Sequence, residues 1–284
     1  MKRKTLYIQV EQNINLWVET YGDNNNEACL LIAGAGANCS FWSERLCKKL
    51  VDMGLFVIKY DHRDVGYSTK IDFDKNPYDV NQLAKDAVCI LDALNLKKAH
   101  VAGHSMGGFI VQLLAIHYPE RILSMISASS STNSPNVPLP PEKTWEIFLQ
   151  FSPTNNLETD LSGFLLVWEY LNGTAKFDTK LAVEYTINIY DRQEIKGALG
   201  EGHVKAQSQI SDRSNLLKNV HIPTLVIHGE QDYLVDKYGG IQTAECISNS
   251  ELVLLPEMGH LPFNHIILEK FENEMVRFIA QNRH

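Results

Sequence analysis

Residues 99–108 read AHVAGHSMGG: a short run of strand texture, then Gly103-His104-Ser105-Met106-Gly107, a further glycine, and the helical stretch FIVQLLAIHY. A serine between two glycines at a strand-to-helix junction sits on a tight turn, because strand and helix can approach only where flanking side chains are missing. Such a turn lifts the hydroxyl above the sheet. It also aims the first helical amides, starting with that of Met106, at any negative charge that develops beside the serine. Ser105 is therefore the candidate nucleophile.

A serine hydroxyl attacks well only when a base takes its proton and an acid orients the base. On a sheet of this type the partners follow in the order serine, acid, histidine at the ends of later strands. TLVIHGEQDYLVD places Asp232 just past a strand, and ELVLLPEMGHLPF places His260 on a glycine-bearing loop four residues past the next. Asp236 reads as a capping group in the first turn of the following helix. His228 within LVIHG and His265 in the last helix read as packed or solvated, and His104 as structural. The candidate triad is Ser105, Asp232 and His260.

Working outward, strand-like runs recur at 6–10, 15–20, 28–33, 55–61, 99–104, 122–129, 224–229 and 251–256. The first two read as a hairpin turning near Gln12-Asn13. Between later runs lie helical segments, most clearly 80–94, where Val80, Leu83, Ala84, Ala87, Val88, Leu91 and Leu94 share one face. Strand-helix alternation predicts a mostly parallel sheet covered on both sides. After Ser131 the alternation stops at SPNVPLPPEK, with prolines at 135, 138, 140 and 141, which suits an extended hinge. The stretch 141–215 is helical and rich in aromatics. We expect a core of 1–131 and 219–284 with a helical cap at 132–218.

The combination GHSMGG, HGEQD, MGH, DHRDVGYS and an insertion before the seventh strand resembles the serine hydrolases of the α/β-hydrolase fold over essentially the whole chain. DHRDVGYST with the following NPYDVNQLAKDAVCILDALNL is similar to the aclacinomycin methylesterase type. The resemblance implies an eight-stranded, mostly parallel sheet flanked by helices, with a cap inserted after strand 6. It also interprets LLIAGAGANCS at 30–40. In this family the loop after the third strand supplies one oxyanion-hole amide, here assigned to Ala35, and Met106 supplies the other. Many members carry a His-Gly pair at that point; this chain has Ala33-Gly34, so a side chain that commonly braces the loop is missing. A dinucleotide site would need a third glycine, and position 39 is Cys. In the 61–68 turn, Gly66 is expected to adopt a backbone other residues resist, and Arg63 and Asp64 to form a local polar brace.

The resemblance implies hydrolysis of a carboxylic ester or related acyl bond of a small molecule. Amide cleavage, lactone opening, carbon-carbon hydrolysis and perhydrolysis use the same arrangement, and some proteins of this fold only bind a ligand. An amine-recognising site would need acidic cap residues turned to the cleft, from among Glu142, Glu146, Glu169 and Glu184.

Composition narrows the classes further. The net charge is −8 and no basic run exceeds Lys2-Arg3-Lys4, so nucleic acid is not an expected partner. The opening segment has too few apolar residues for a secretion signal, and no run is long enough to span a membrane. Five cysteines (29, 39, 47, 89 and 246) without a CxxC pair fit reduced thiols in the cytoplasm. No metal or cofactor motif is present, so neither is expected. The oligomeric state stays open.

Overall fold

The computed structural model describes residues 1–193 and 200–283; residues 194–199 of the expected insertion lie outside the described residues. Eight strands form one sheet: β1 (Arg3–Glu11), β2 (Ile14–Tyr21), β3 (Ala28–Ile32), β4 (Phe56–Tyr60), β5 (Ala99–His104), β6 (Ile122–Ala128), β7 (Thr224–Gly229) and β8 (Ser250–Leu255). Their order is β1-β2-β4-β3-β5-β6-β7-β8. β1 and β2 make an antiparallel hairpin with Leu6 opposite Val18, turning at Asn13, whose φ is +66°. β2 is antiparallel to β4, and every later pairing is parallel.

The buried strands alternate their side chains between two cores, as period-2 geometry requires. Leu30, Ile32, Ile58 and Val101 meet α2 (Val80–Ala93) and α3 (Met106–His117) on one face. Cys29, Leu31, Val57 and Ala102 meet α1 (Glu44–Asp52) and the long C-terminal helix on the other. Burying each such leucine or isoleucine stabilises by about 1.5–3 kcal/mol. The start of α2 is fixed by Asp79, whose carboxylate accepts from Gln82 N–H at 2.8 Å.

Among the described residues, five helices are inserted between β6 and β7: α4 (Glu142–Leu149), α5 (Leu157–Leu171), α6 (Thr179–Arg192), α7 (Glu201–Gln207) and α8 (Ser214–Leu217). After β7 come α9 (Lys237–Cys246), β8 and α10 (His265–Gln281). The insertion has its own apolar cluster, in which Phe164, Trp168, Leu171, Ala182 and Ile189 pack with Leu261 and Phe263 from the segment after β8. Most of the aromatics in the insertion are therefore glue. The last residue of α6 reaches the sheet: Arg192 bonds Glu19 on β2 at 3.0 Å and Asp61 beyond β4 at 2.9 Å. Burial alone would raise the Glu19 carboxyl, but Lys59, Arg192 and hydrogen bonds from Trp17 and Tyr21 carry it down to about 2.

In the 61–68 turn Gly66 has φ +54°, with the Asp61 carboxyl filling the space a Cβ would need. The expected Arg63–Asp64 brace is replaced by longer-range pairs. Arg63 clamps Asp86 of α2 at 2.7–2.8 Å, and Asp64 accepts from the Tyr78 hydroxyl at 2.6 Å. Asp64 has φ +73°, a left-handed turn that sends its side chain toward Tyr78 and not toward its neighbour. No described helix is long and apolar enough to cross a membrane.

Candidate active site

β5 ends at His104 and α3 begins at Met106, so a single residue makes the turn. That residue, Ser105, has φ +55° and ψ −118°, a backbone region that costs a non-glycine residue about 1–3 kcal/mol and persists only where its surroundings hold it. They do hold it. Ser105 N–H donates to Ala128 O at 2.9 Å, and the Ser130 hydroxyl donates to Ser105 O at 2.9 Å. The flanking glycines are sterically required, since a Cβ on Gly103 would lie 2.0 Å from Gly107 O and one on Gly107 2.3 Å from Ile32 O. Met106 N–H, first in α3, has no acceptor within the helix.

His260 and Asp232 come from the loops after β8 and β7. His260 Nδ1 lies 2.8 Å from Asp232 Oδ2, and both side chains are almost completely buried. A carboxylate only accepts, so Nδ1 carries the proton and Nε2 is left basic. Asp232 is itself held by the amides of Leu234 and Val235, at 2.9 and 2.8 Å on Oδ1. Burial would raise its carboxyl, but the His260 charge and hydrogen bonds from His228 and His260 hold it well below the usual range.

His104 ties this pair to the elbow. Its Nε2 donates to His260 O at 2.8 Å and the two rings lie 4.9 Å apart. Burial and the neighbouring His260 push the His104 imidazole down to about 3, so it is neutral and structural. Among the described residues no hydrogen bond joins Ser105 Oγ to His260, whose bonds run to Asp232 and His104. Such bonds often tighten only when substrate is bound.

The glycine loop after β3 lies on the elbow. A Cβ on Gly34 would come 3.2 Å from Ser105 Cβ and 3.3 Å from His104 O. Bonds that close the loop use the amides of Ala37, to Gly34 O at 3.3 Å, and of Gly36, and not that of Ala35.

A family model described as the alpha/beta hydrolase fold matches residues 28–264. The chain belongs to the α/β-hydrolase family. It is 29% identical over 273 residues to a rhodomycin D methylesterase of Streptomyces peucetius, covering 87% of this chain and 89% of that one. It is 28% identical over 269 residues to 3-oxoadipate enol-lactonase 2 of Acinetobacter baylyi, covering 90% and 92%. In structure it resembles a meta-cleavage product hydrolase from Pseudomonas fluorescens, with a TM-score of 0.77, 19% identity and 98% of each chain covered.

Several features of this α/β-hydrolase escaped the sequence reading. His228 is packed as expected, yet its Nε2 sits 3.3 Å from Asp232 Oδ2 and 2.8 Å from Val235 O, so Asp232 faces two imidazoles. The four-residue spacing of His228 and Asp232 across a strand end was the available signal. Asp236 caps α9 by accepting from Tyr238 N–H at 2.9 Å, and His265 is an exposed partner of Asp178. Two further histidines, His62 and His203, hold the glycine loop: His62 Nε2 lies 3.1 Å from Ala33 O, and His203 Nδ1 accepts from Gly36 N–H at 3.0 Å. This α/β-hydrolase has a cavity of about 770 Å³ whose lining omits Ser105, Asp232 and His260 and borders the site through Leu261, the neighbour of His260, and Phe41. Its apolar lining includes Phe41, Tyr185, Leu261 and Phe263, and its charged lining Glu19, Lys59 and Arg192. Phe41 also rests on the His104 ring, 4.6 Å between centroids. Of the four acidic residues considered for amine recognition, Glu184 lines this cavity.

Proposed function

We propose that this α/β-hydrolase is a serine esterase that cleaves a carboxylic ester of a small molecule through Ser105, His260 and Asp232. Ser105 Oγ attacks the ester carbonyl carbon while His260 Nε2 takes its proton. Asp232 holds the imidazole and stabilises its cation. The amides of Ala35 and Met106 receive the tetrahedral oxyanion. His260 then returns the proton to the leaving alkoxide, an acyl-enzyme remains, and water activated by the same Nε2 releases the acid. Residues 132–218 act as a cap over a core of 1–131 and 219–284.

The observation that carries this reading is a serine held at φ +55° beside a buried His260–Asp232 pair 2.8 Å apart. Strained serine turns persist where function needs the hydroxyl presented. Similarity to a protein named a methylesterase, over most of both chains, favours a methyl or other small alkyl ester. The adjoining cavity has room for the acid portion of a mid-sized substrate.

Labelling with a fluorophosphonate probe tests the nucleophile: the native chain should be labelled and Ser105→Ala should not. Undiminished labelling of that variant would sink the assignment. A substrate panel tests the bond. Methyl esters should turn over faster than enol-lactones or vinylogous diketones, and preference for either of the latter would move the protein to lactonase or carbon-carbon hydrolase chemistry.

A further inference from the structure

The glycine loop between β3 and α1 is pinned at two successive points by buried histidines from elsewhere in the chain. His62, just past β4, contacts Ala33 O through Nε2 at 3.1 Å. His203, on α7 of the insertion, accepts the Gly36 N–H on Nδ1 at 3.0 Å and contacts Arg63 O through Nε2 at 2.8 Å. Since Nδ1 accepts, Nε2 must carry the proton, and both bonds are made by one neutral tautomer. The two rings meet edge to face, 5.6 Å apart at 81°. Both are fully buried. Helix α7 is seated on the loop by backbone contact as well: Gly200, at φ +72°, leaves so little room that a Cβ there would lie 2.6 Å from Gly36 Cα and N.

The placement of these bonds matters more than their number. Ala33 O belongs to the peptide plane joining residues 33 and 34, and Gly36 N–H to the plane joining 35 and 36. Between them lies one peptide plane, that of residues 34 and 35, which carries the Ala35 N–H. Fixing the planes on either side leaves the middle one little freedom, because only φ and ψ at two residues connect them. We infer that His203 is a positioning residue for the reaction: by holding the Gly36 peptide from the cap, it aims the Ala35 N–H at the oxyanion. This rests on the assignment of Ala35 and Ser105 made above. His203 and His62 stand in for the bracing side chain absent at Ala33, and the seating of α7 becomes part of the catalytic geometry.

Two substitutions separate this role from simple packing. In His203→Asn the amide oxygen occupies the place of Nδ1 and still accepts from Gly36 N–H, while the contact to Arg63 O is lost. In His203→Gln the amide reaches the place of Nε2 and keeps Arg63 O, but the Gly36 bond is lost. Misaimed oxyanion donors cost turnover and not ground-state binding, so His203→Gln should lower kcat by about 10- to 100-fold with KM within about threefold. His203→Asn should recover most of that loss. Equal kcat in the two variants, or a kcat for His203→Gln like that of the native chain, overturns the inference. Should the amide variants not fold, His203→Phe keeps the ring volume, deletes both polar contacts and carries the same expectation as His203→Gln. Ser105→Ala run alongside keeps the two levels apart. If it retains turnover, the esterase reading falls and takes the inference with it; if it is inactive while His203→Gln is fully active, the inference alone falls.

Discussion

Asp232 and Asp61 are both buried aspartates just past the C-terminal ends of parallel strands, yet their partners differ in kind. Asp61 accepts the amides of Cys39 and Tyr67 at 2.8 and 2.9 Å and the Arg192 guanidinium at 2.9 Å. Asp232 likewise accepts two amides, those of Leu234 and Val235, but its other partners are the imidazoles of His260 and His228. A guanidinium keeps its proton under any condition a protein survives, so the Asp61 pair can only clamp the insertion to the sheet. An imidazole exchanges its proton near neutrality, so the Asp232 pair can serve proton transfer. The choice of partner, and not the burial of the acid, separates a fixed fastening from a pair that can exchange a proton.

The sharpest way to break this contrast is to neutralise each acid without changing its shape. Asp232→Asn should lower kcat by about three to four orders of magnitude, because an amide in that place no longer selects the tautomer that leaves Nε2 basic, nor stabilises the imidazolium. Steady-state kinetics on a methyl ester checks it, with circular dichroism confirming the fold. A loss of less than tenfold would remove Asp232 from the mechanism. Asp61→Asn should act the other way round. Breaking a buried ion pair costs about 3–5 kcal/mol, and we expect the low end because Arg192 keeps Glu19 at 3.0 Å. Chemical denaturation should report that loss while kcat of the folded protein changes by less than about tenfold.

This contrast also marks where sequence reading succeeds. All eight strands, the serine turn between β5 and α3, and the pairing of Asp232 with His260 were legible because each is set by a local pattern. A strand-turn-helix with glycines on both sides has few conformations, and Asp232 and His260 sit within five residues of strand ends. Arg192 with Asp61 and Gly36 with His203 were not legible. These partners lie 131 and 167 residues apart, and each joins the insertion to the core. No periodicity announces which helix residue will point at which loop. Arg63 erred in the same way, since a neighbour in sequence was expected and a helix 23 residues on supplied the partner. His228 was intermediate: its spacing from Asp232 was visible, but the turn that folds the acid back onto the strand was not.

Acid titration adds a third kind of buried group to the comparison. His62 and His104 are pushed down to about 3 by burial and by neighbouring histidines, and burial lowers His203 as well. In the unfolded chain each would take a proton near pH 6.5. Between about 6.5 and 3 the unfolded state therefore binds more protons, and stability must fall as pH falls through that window. For His62 and His104 the loss approaches about 2 kcal/mol each at pH 5, and His203 adds to it in the same direction. Asp232 is depressed, so its own contribution is intact above about pH 4 and is lost only below it, outside most of this range. Denaturation at pH 7 and pH 5 tests the sum, and His104→Asn should reduce the proton uptake on unfolding by about one. Stability unchanged between those pH values would contradict the neutral, buried state of all three.

The smallest effect concerns the second imidazole on Asp232. His228 Nε2 must carry a proton, since Val235 O at 2.8 Å can only accept, and the same N–H points at Asp232 Oδ2 at 3.3 Å. At that distance it is a weak donor, sharing its hydrogen between two oxygens, while His260 holds the shorter bond. Removing it in His228→Phe leaves Val235 O and one lobe of Asp232 without a partner, which costs about 1–3 kcal/mol of stability. Turnover should fall only about tenfold, because the His260 bond and two amides still orient the carboxylate. His228→Gln, whose amide reaches the place of Nε2, should recover most of both losses. If His228→Phe were as inactive as Asp232→Asn, the two imidazoles would be equal partners of the acid, and the distinction between a reactive histidine and a supporting one would have to be redrawn.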